Sequence, residues 1–92
     1  MEEKFVNAWL AARQTAKDLG IRLRPVEKET AMQTARRWLS GSRESDGFYA
    51  LAQKGKLELS LEALAVSKAY TGLFTDEEAN RALDRLIQAG YY

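Results

Sequence analysis

One stretch decides the fold of this chain, TDEEANRALDRLIQAG from Thr75 to Gly90. Thr75 and Glu78 stand three residues apart, the spacing of a capping box at the start of a helix. Gly90 is a typical residue just past a helix end. The apolar residues between these signals recur at helical spacing and are expected to form a buried stripe: Ala82, Leu83, Leu86 and Ile87. The stretch therefore predicts an amphipathic helix that packs on one side.

The sequence before this stretch repeats the pattern of apolar stripes separated by glycines. Four further helices are expected, over about 3–19, from Pro25 to Gly41, over 47–54 and from Ser60 to Gly72. The third of these is short. The alternating residues at 21–24 predict an extended connector. A chain of 92 residues is too short for two domains. We therefore expect a single all-α domain over residues 1–92, a compact bundle of about five helices.

The composition favours binding over catalysis. Hydrophobic residues make up 46% of the chain, and 14 basic residues stand against 13 acidic ones, which is typical of a globular domain. The chain has no histidine and no cysteine, so it lacks the usual general base, the commonest zinc ligand and any thiol nucleophile. No glycine pattern of a phosphate-binding loop occurs. We expect no catalytic residues, no metal and no cofactor.

No targeting or membrane segment is expected. The chain opens with mixed charge at residues 1–4, whereas a secretory signal has a basic start and a long apolar stretch. The longest early apolar run covers only residues 8–12, and a membrane-spanning helix needs about 20 such residues. These features favour a cytoplasmic protein that does not bind membranes.

The last helix supplies the residues expected to contact another protein. We interpret the protein as a small regulatory or adaptor module that docks a preformed helical face on its partner, with complementary charges setting orientation. The expected contact residues are Glu77, Arg81, Asp84, Arg85, Gln88, Tyr91 and Tyr92. The terminal tyrosine pair either folds back on the bundle or joins a contact surface. A homodimer and a monomer are both left open.

The alternative is a small DNA- or RNA-binding regulator. Between residues 13 and 37, seven basic residues oppose three acidic ones, and a basic surface binds phosphates by displacing their counterions. The candidate phosphate contacts are Arg13, Lys17, Arg22, Arg24, Arg36 and Arg37.

A resemblance bears on both interpretations. The apolar spacing and caps of Ser60–Ala65, Gly72–Ala79 and Ala82–Tyr92 resemble the helix pair of a winged-helix domain, a variant of the helix-turn-helix fold. The resemblance implies a strand where Tyr91 and Tyr92 stand. In such domains the start of the second helix faces DNA, but here that helix opens with three carboxylates, which would repel a polyanion. The resemblance therefore favours a protein partner for this helix.

Overall fold

The computed structural model describes residues 1–91, and this part of the chain contains helices and no strand. The five α-helices are α1 (Glu2–Asp18), α2 (Ala31–Ser40), α3 (Phe48–Gln53), α4 (Leu61–Ala65) and α5 (Asp76–Gln88), and three 3₁₀ turns lie at Lys28–Thr30, Leu57–Leu59 and Lys68–Tyr70. The prediction of an all-α bundle with a short third helix is confirmed. The strand that the winged-helix resemblance implied does not form at Tyr91, and Tyr92 lies outside the described residues.

The ends of α5 show why this sequence stops and starts a helix where it does. The Thr75 hydroxyl accepts a hydrogen bond from the Glu78 backbone N–H, and the Glu78 carboxylate accepts one from the Thr75 backbone N–H. At the other end Gly90 has a φ of +81°, a conformation that glycine adopts at little cost. The Tyr91 N–H then bonds to the Leu86 carbonyl, which completes a Schellman motif.

Two apolar clusters hold the helices together. The larger joins α1, α2, α4 and α5 through buried side chains of Phe5, Val6, Trp9, Ala31, Met32, Ala35, Leu39, Leu61, Ala65, Phe74 and Ala82. The smaller joins the end of α1, the connector, α3 and α5 through Ala16, Ile21, Phe48, Leu51, Leu57 and Leu86. Because α5 contributes to both clusters, its inner side links the two halves of the core.

The fourth helix is shorter than predicted. It ends at Ala65, and Val66 and Ser67 leave the helical conformation. The Ser67 side chain accepts a hydrogen bond from the Ala69 N–H, a local bond that competes with helix continuation. The expected helix as far as Gly72 is therefore replaced by a 3₁₀ turn.

The second helix starts later than predicted. Residues 25–27 are extended, and α2 begins at Ala31 after a 3₁₀ turn. Val26 packs against the larger apolar cluster, which holds this segment away from a helical path. Before it, Ile21 is buried and Leu23 half-buried while Arg22 and Arg24 are exposed. Residues 21–24 thus lie outside the helices, with apolar side chains inward and basic side chains outward.

The buried stripe of α5 lies to one side of its predicted position. Ala82 and Leu86 are fully buried, but Leu83 is 38% exposed and Ile87 is 52% exposed. Arg85, which is only 8% exposed, lies on the buried side of α5 in their stead. The two apolar side chains expected in the core are thus on the surface.

Candidate functional site

The exposed side of α5 carries most of the residues predicted to contact a protein. We call this surface the α5 outer face, and it consists of Asp76, Glu77, Asn80, Arg81, Leu83, Asp84, Ile87 and Gln88, all exposed. At about 100° per residue, the predicted contacts Glu77, Arg81, Asp84 and Gln88 fall within one narrow arc of the helix. Leu83 and Ile87 lie beside that arc, one turn apart.

A groove runs beside Leu83. It has a volume of about 390 Å³ and lies between α5 and the segment that follows α4. Its lining is largely apolar and includes Val66, Tyr70, Phe74 and Ala79. Tyr70 packs edge-on against Phe5 of the core, with ring centroids 5.2 Å apart. The groove wall is therefore anchored in the core rather than built from loose side chains.

The charges on the α5 outer face are mostly acidic. Arg81 pairs with Glu77 at 3.4 Å, one turn away on the same helix. Asp76 and Asp84 form no ion pair within residues 1–91. The face thus presents two free carboxylates next to its exposed leucine and isoleucine, a combination that suits a basic, amphipathic partner.

Arg85 does not belong to this surface, so its expected role as a docking residue is wrong. Its guanidinium lies 3.2 Å from the fully buried carboxylate of Glu62. It also donates hydrogen bonds to the backbone carbonyls of Trp38, Leu39 and Gly41. These are carbonyls at the end of α2 that have no partner within their own helix. Arg85 is therefore the cap of α2 and the partner of a buried charge.

The same buried carboxylate holds the loop after α2. Glu62 accepts hydrogen bonds from the Ser45 backbone N–H at 2.8 Å and from the Ser45 hydroxyl at 2.6 Å. Because Arg85 bonds Gly41 and Glu62 bonds Ser45, the loop over residues 41–46 is fixed at both ends. Gly47 follows it with a φ of +82°, and a side chain there would collide with Leu23.

The terminal tyrosines are only partly within the described residues. Tyr91 is 38% exposed and lies at the end of α5, where Ala52 and Leu57 line a shallow pocket with it. It thus folds back beside α3. Tyr92 lies outside the described residues, so its expected role in a contact surface stays a prediction.

The six basic residues predicted to contact nucleic acid differ in their exposure and in their partners. Arg13 is 7% exposed and its guanidinium lies over the rings of Trp9 and Trp38, at 5.5 and 5.4 Å. It bonds to the Arg24 carbonyl and, at 3.4 Å, to the Asp46 carboxylate. Burial lowers the pKa of Arg13 and Asp46 opposes that shift. Arg13 is unavailable to phosphates, and its expected role as a phosphate contact is wrong.

The remaining basic residues lie in different surroundings. Arg36 pairs with Glu78 at 3.1 Å and bonds the Leu73 carbonyl, so it ties α2 to the start of α5. Lys17 and Arg22 are exposed. Arg24 and Arg37 are also exposed, and they line one cleft together with Arg43, which is not among the six predicted phosphate contacts.

Residues 1–91 offer neither a cluster of metal ligands nor a membrane-spanning helix. No three acidic side chains come close enough together to hold a metal ion. Across the same residues, every helix is too short or too polar to cross a bilayer.

Comparison with known proteins gives no relative: no family model, no curated protein and no solved structure matches the chain. Its surface chemistry and geometry are therefore what point to a function.

Sequence signals are weak for the buried charged residues that hold the structure together, Glu62, Arg85 and Arg13. Glu62 reads as an ordinary acidic residue in the first turn of a helix, where carboxylates are favourable, yet it is fully buried. Arg85 and Arg13 read as surface cations on helices. One sequence feature could indicate that Arg85 is buried: it stands directly before Leu86, at the edge of the apolar stripe.

Proposed function

We propose that the protein is a non-catalytic adaptor that binds a basic, amphipathic helix of another protein on the α5 outer face. The observation that carries the proposal is the exposure of Leu83 at the wall of an apolar groove, with the exposed Ile87 one turn further along α5. Exposed large apolar side chains are normal when scattered. Here they are one turn apart on one helix and Leu83 lines a concave wall, an arrangement that accepts the apolar side of a helix.

The charge of the surface specifies the chemistry of the partner. Asp76 lines the groove, and Asp84 lies on the α5 outer face about one turn before Ile87. Lysine or arginine side chains at the polar edge of a docked helix would oppose these two carboxylates. Such charges mainly speed the encounter and fix the orientation, while the apolar contacts at the centre supply affinity.

Binding is tested with a partner captured from cells that make this protein and then purified. The double variant Leu83→Ser with Ile87→Ser is expected to lower the affinity by about tenfold or more, measured by isothermal titration calorimetry. Tyr49→Ser is the matched control, because Tyr49 on α3 is 65% exposed and lies outside the groove. The control is expected to bind like the wild type. Circular dichroism checks that all variants fold.

Charge-reversal variants and added salt test the electrostatic part of the proposal. Asp76→Lys with Asp84→Lys is expected to weaken the same complex, and raising the salt concentration is expected to weaken the wild-type complex. Equal affinities for the wild type and the Leu83–Ile87 variant would contradict the proposal. So would self-association that the serine variant abolishes, since the face would then bind a second copy of the chain.

A further inference from the structure

A second surface lies at the end of α2 and shares no residue with the α5 outer face. It is an open cleft of about 490 Å³. Arginines from three segments line it: Arg24 from the extended connector, Arg37 from α2 and Arg43 from the loop. The half-buried ring of Trp38 is part of the same lining.

These three guanidinium groups have no ion-pair partner within residues 1–91. By contrast, the arginines at positions 13, 36, 81 and 85 each pair with a carboxylate. Of the two carboxylates that line the cleft, that of Asp46 is already engaged. Asp46 accepts bonds from Arg13 and from the Arg24 backbone N–H. A hydrogen bond from Tyr49 to the Glu44 carboxylate raises the pKa of Tyr49.

The cleft therefore has a surplus of positive charge. Counting the buried Arg13 beside it, four arginines face two carboxylates in this region. A multiply charged anion would remove the repulsion among the exposed guanidinium groups. Guanidinium groups bind phosphate through paired, charge-assisted hydrogen bonds, so a ligand with two or more phosphates suits the arrangement better than a single carboxylate.

The loop that forms one wall of the cleft is held in place before any ligand arrives. Arg85 and Glu62 fix its two ends, and Arg13 fixes Asp46. Both buried arginines of the described chain thus hold this one loop. Buried ion pairs contribute little net stability compared with apolar packing, whereas a preorganised loop lowers the cost of binding.

The loop also offers backbone donors. Between its fixed ends, the backbone N–H groups of Ser42, Arg43 and Glu44 donate no hydrogen bond within residues 1–91. Successive free N–H groups beside arginines are a common setting for phosphate oxygens. We infer that this cleft binds the phosphates of a nucleotide or of a nucleic-acid strand, through Arg24, Arg37 and Arg43.

The test uses three probes with the full chain: inorganic triphosphate, adenosine triphosphate and a fluorescein-labelled oligodeoxythymidine. Amide chemical shifts of the ¹⁵N-labelled protein report on the first two, and anisotropy reports on the third, each at about 50 mM salt. Arg24→Gln, Arg37→Gln and Arg43→Gln are combined in one variant. All three side chains are exposed, so the variant is expected to fold.

The control variant removes the same charge elsewhere. It combines Lys4→Gln, Lys54→Gln and Lys56→Gln, which are exposed lysines outside the cleft. The expected result is binding of at least one probe, a loss of about tenfold or more in the arginine variant and little change in the lysine variant. Perturbed amides are expected over residues 42–46.

The probes distinguish the sources of the phosphate. Binding of the triphosphate probes assigns the cleft to a free nucleotide, and binding of the oligonucleotide alone assigns it to a strand. The inference is overturned if none of the three probes binds. It is also overturned if the lysine variant loses as much affinity as the arginine variant, because net charge would then explain the binding.

Discussion

Two arginines one turn apart on α5 show how differently the two sides of one helix are used. Arg81 lies on the outer face, and its ion pair with Glu77 is exposed at both ends. Arg85 lies on the inner side, where it pairs with a fully buried carboxylate and caps two carbonyls of α2 and that of Gly41 just after it. The inner side of α5 builds the fold and positions a loop, while the outer side is free to meet a partner. Two arginines on the same helix are therefore expected to contribute different amounts to the free energy of unfolding.

The largest expected effect separates these two arginines. Arg85→Met leaves the Glu62 carboxylate buried without its cation, and we expect a loss of about 3–5 kcal/mol in the free energy of unfolding. Arg81→Met removes an exposed ion pair and a long, exposed hydrogen bond to the Gly41 carbonyl, and it is expected to cost about 0–1 kcal/mol. Urea denaturation of the two variants measures the difference. Equal losses would mean that Arg85 is not buried in an ion pair.

A control covers the case in which Arg85→Met does not fold. The double variant Arg85→Met with Glu62→Met removes both charges, so no uncompensated charge remains in the interior. We expect it to fold and to be more stable than Arg85→Met alone. A double variant as unstable as the single one would show that the capped carbonyls of α2, rather than the ion pair, dominate.

The next-largest expected difference in the free energy of unfolding is between variants of two leucines of α5. Leu86 is fully buried in the smaller apolar cluster, and Leu86→Ala is expected to cost about 2–5 kcal/mol. Leu83 is 38% exposed, and Leu83→Ala is expected to cost less than about 1 kcal/mol. Thermal or urea unfolding measures both. A larger loss for Leu83→Ala would mean that the helix is rotated about its axis, with Leu83 rather than Leu86 facing the core.

The smallest expected loss in the free energy of unfolding concerns the capping box at the start of α5. Thr75→Ala removes the cap that accepts the Glu78 N–H and is expected to cost about 1 kcal/mol. Thr15→Ala is the control, because Thr15 is exposed inside α1 and its hydroxyl bonds only the Ala11 carbonyl. It is expected to change stability by no more than about 0.5 kcal/mol. Similar losses for the two variants would argue against the capping box.

The helices themselves could be predicted from the sequence, because their signals are local. The capping box at Thr75 and the glycine after Ala89 directly flank α5, and both proved correct. The length of α4 was mispredicted because a single serine, Ser67, bonds its own neighbour and ends the helical path. Periodicity cannot detect such a competing bond.

The rotation of α5 and the roles of its charges depend on the rest of the chain. The apolar stripe was placed on leucine and isoleucine positions, yet Arg85 took an inner position because Glu62 and the end of α2 meet it there. Nothing within α5 specifies that partner. The candidate sites shift accordingly. Glu77, Arg81, Asp84 and Gln88 lie on one outer face as predicted, whereas the cleft at the end of α2 brings Arg24 of the connector together with Arg43 of the loop that follows α2.

The central claim is that α5 has a structural inner side and a free outer side, and two double-mutant cycles measured by urea denaturation test it most directly. One cycle uses Arg85→Met and Glu62→Met, and the other uses Arg81→Met and Glu77→Met. We predict a coupling free energy of about 2 kcal/mol or more for the inner pair and less than about 0.5 kcal/mol for the outer pair. Equal coupling in the two cycles, or stronger coupling in the outer pair, would contradict the claim.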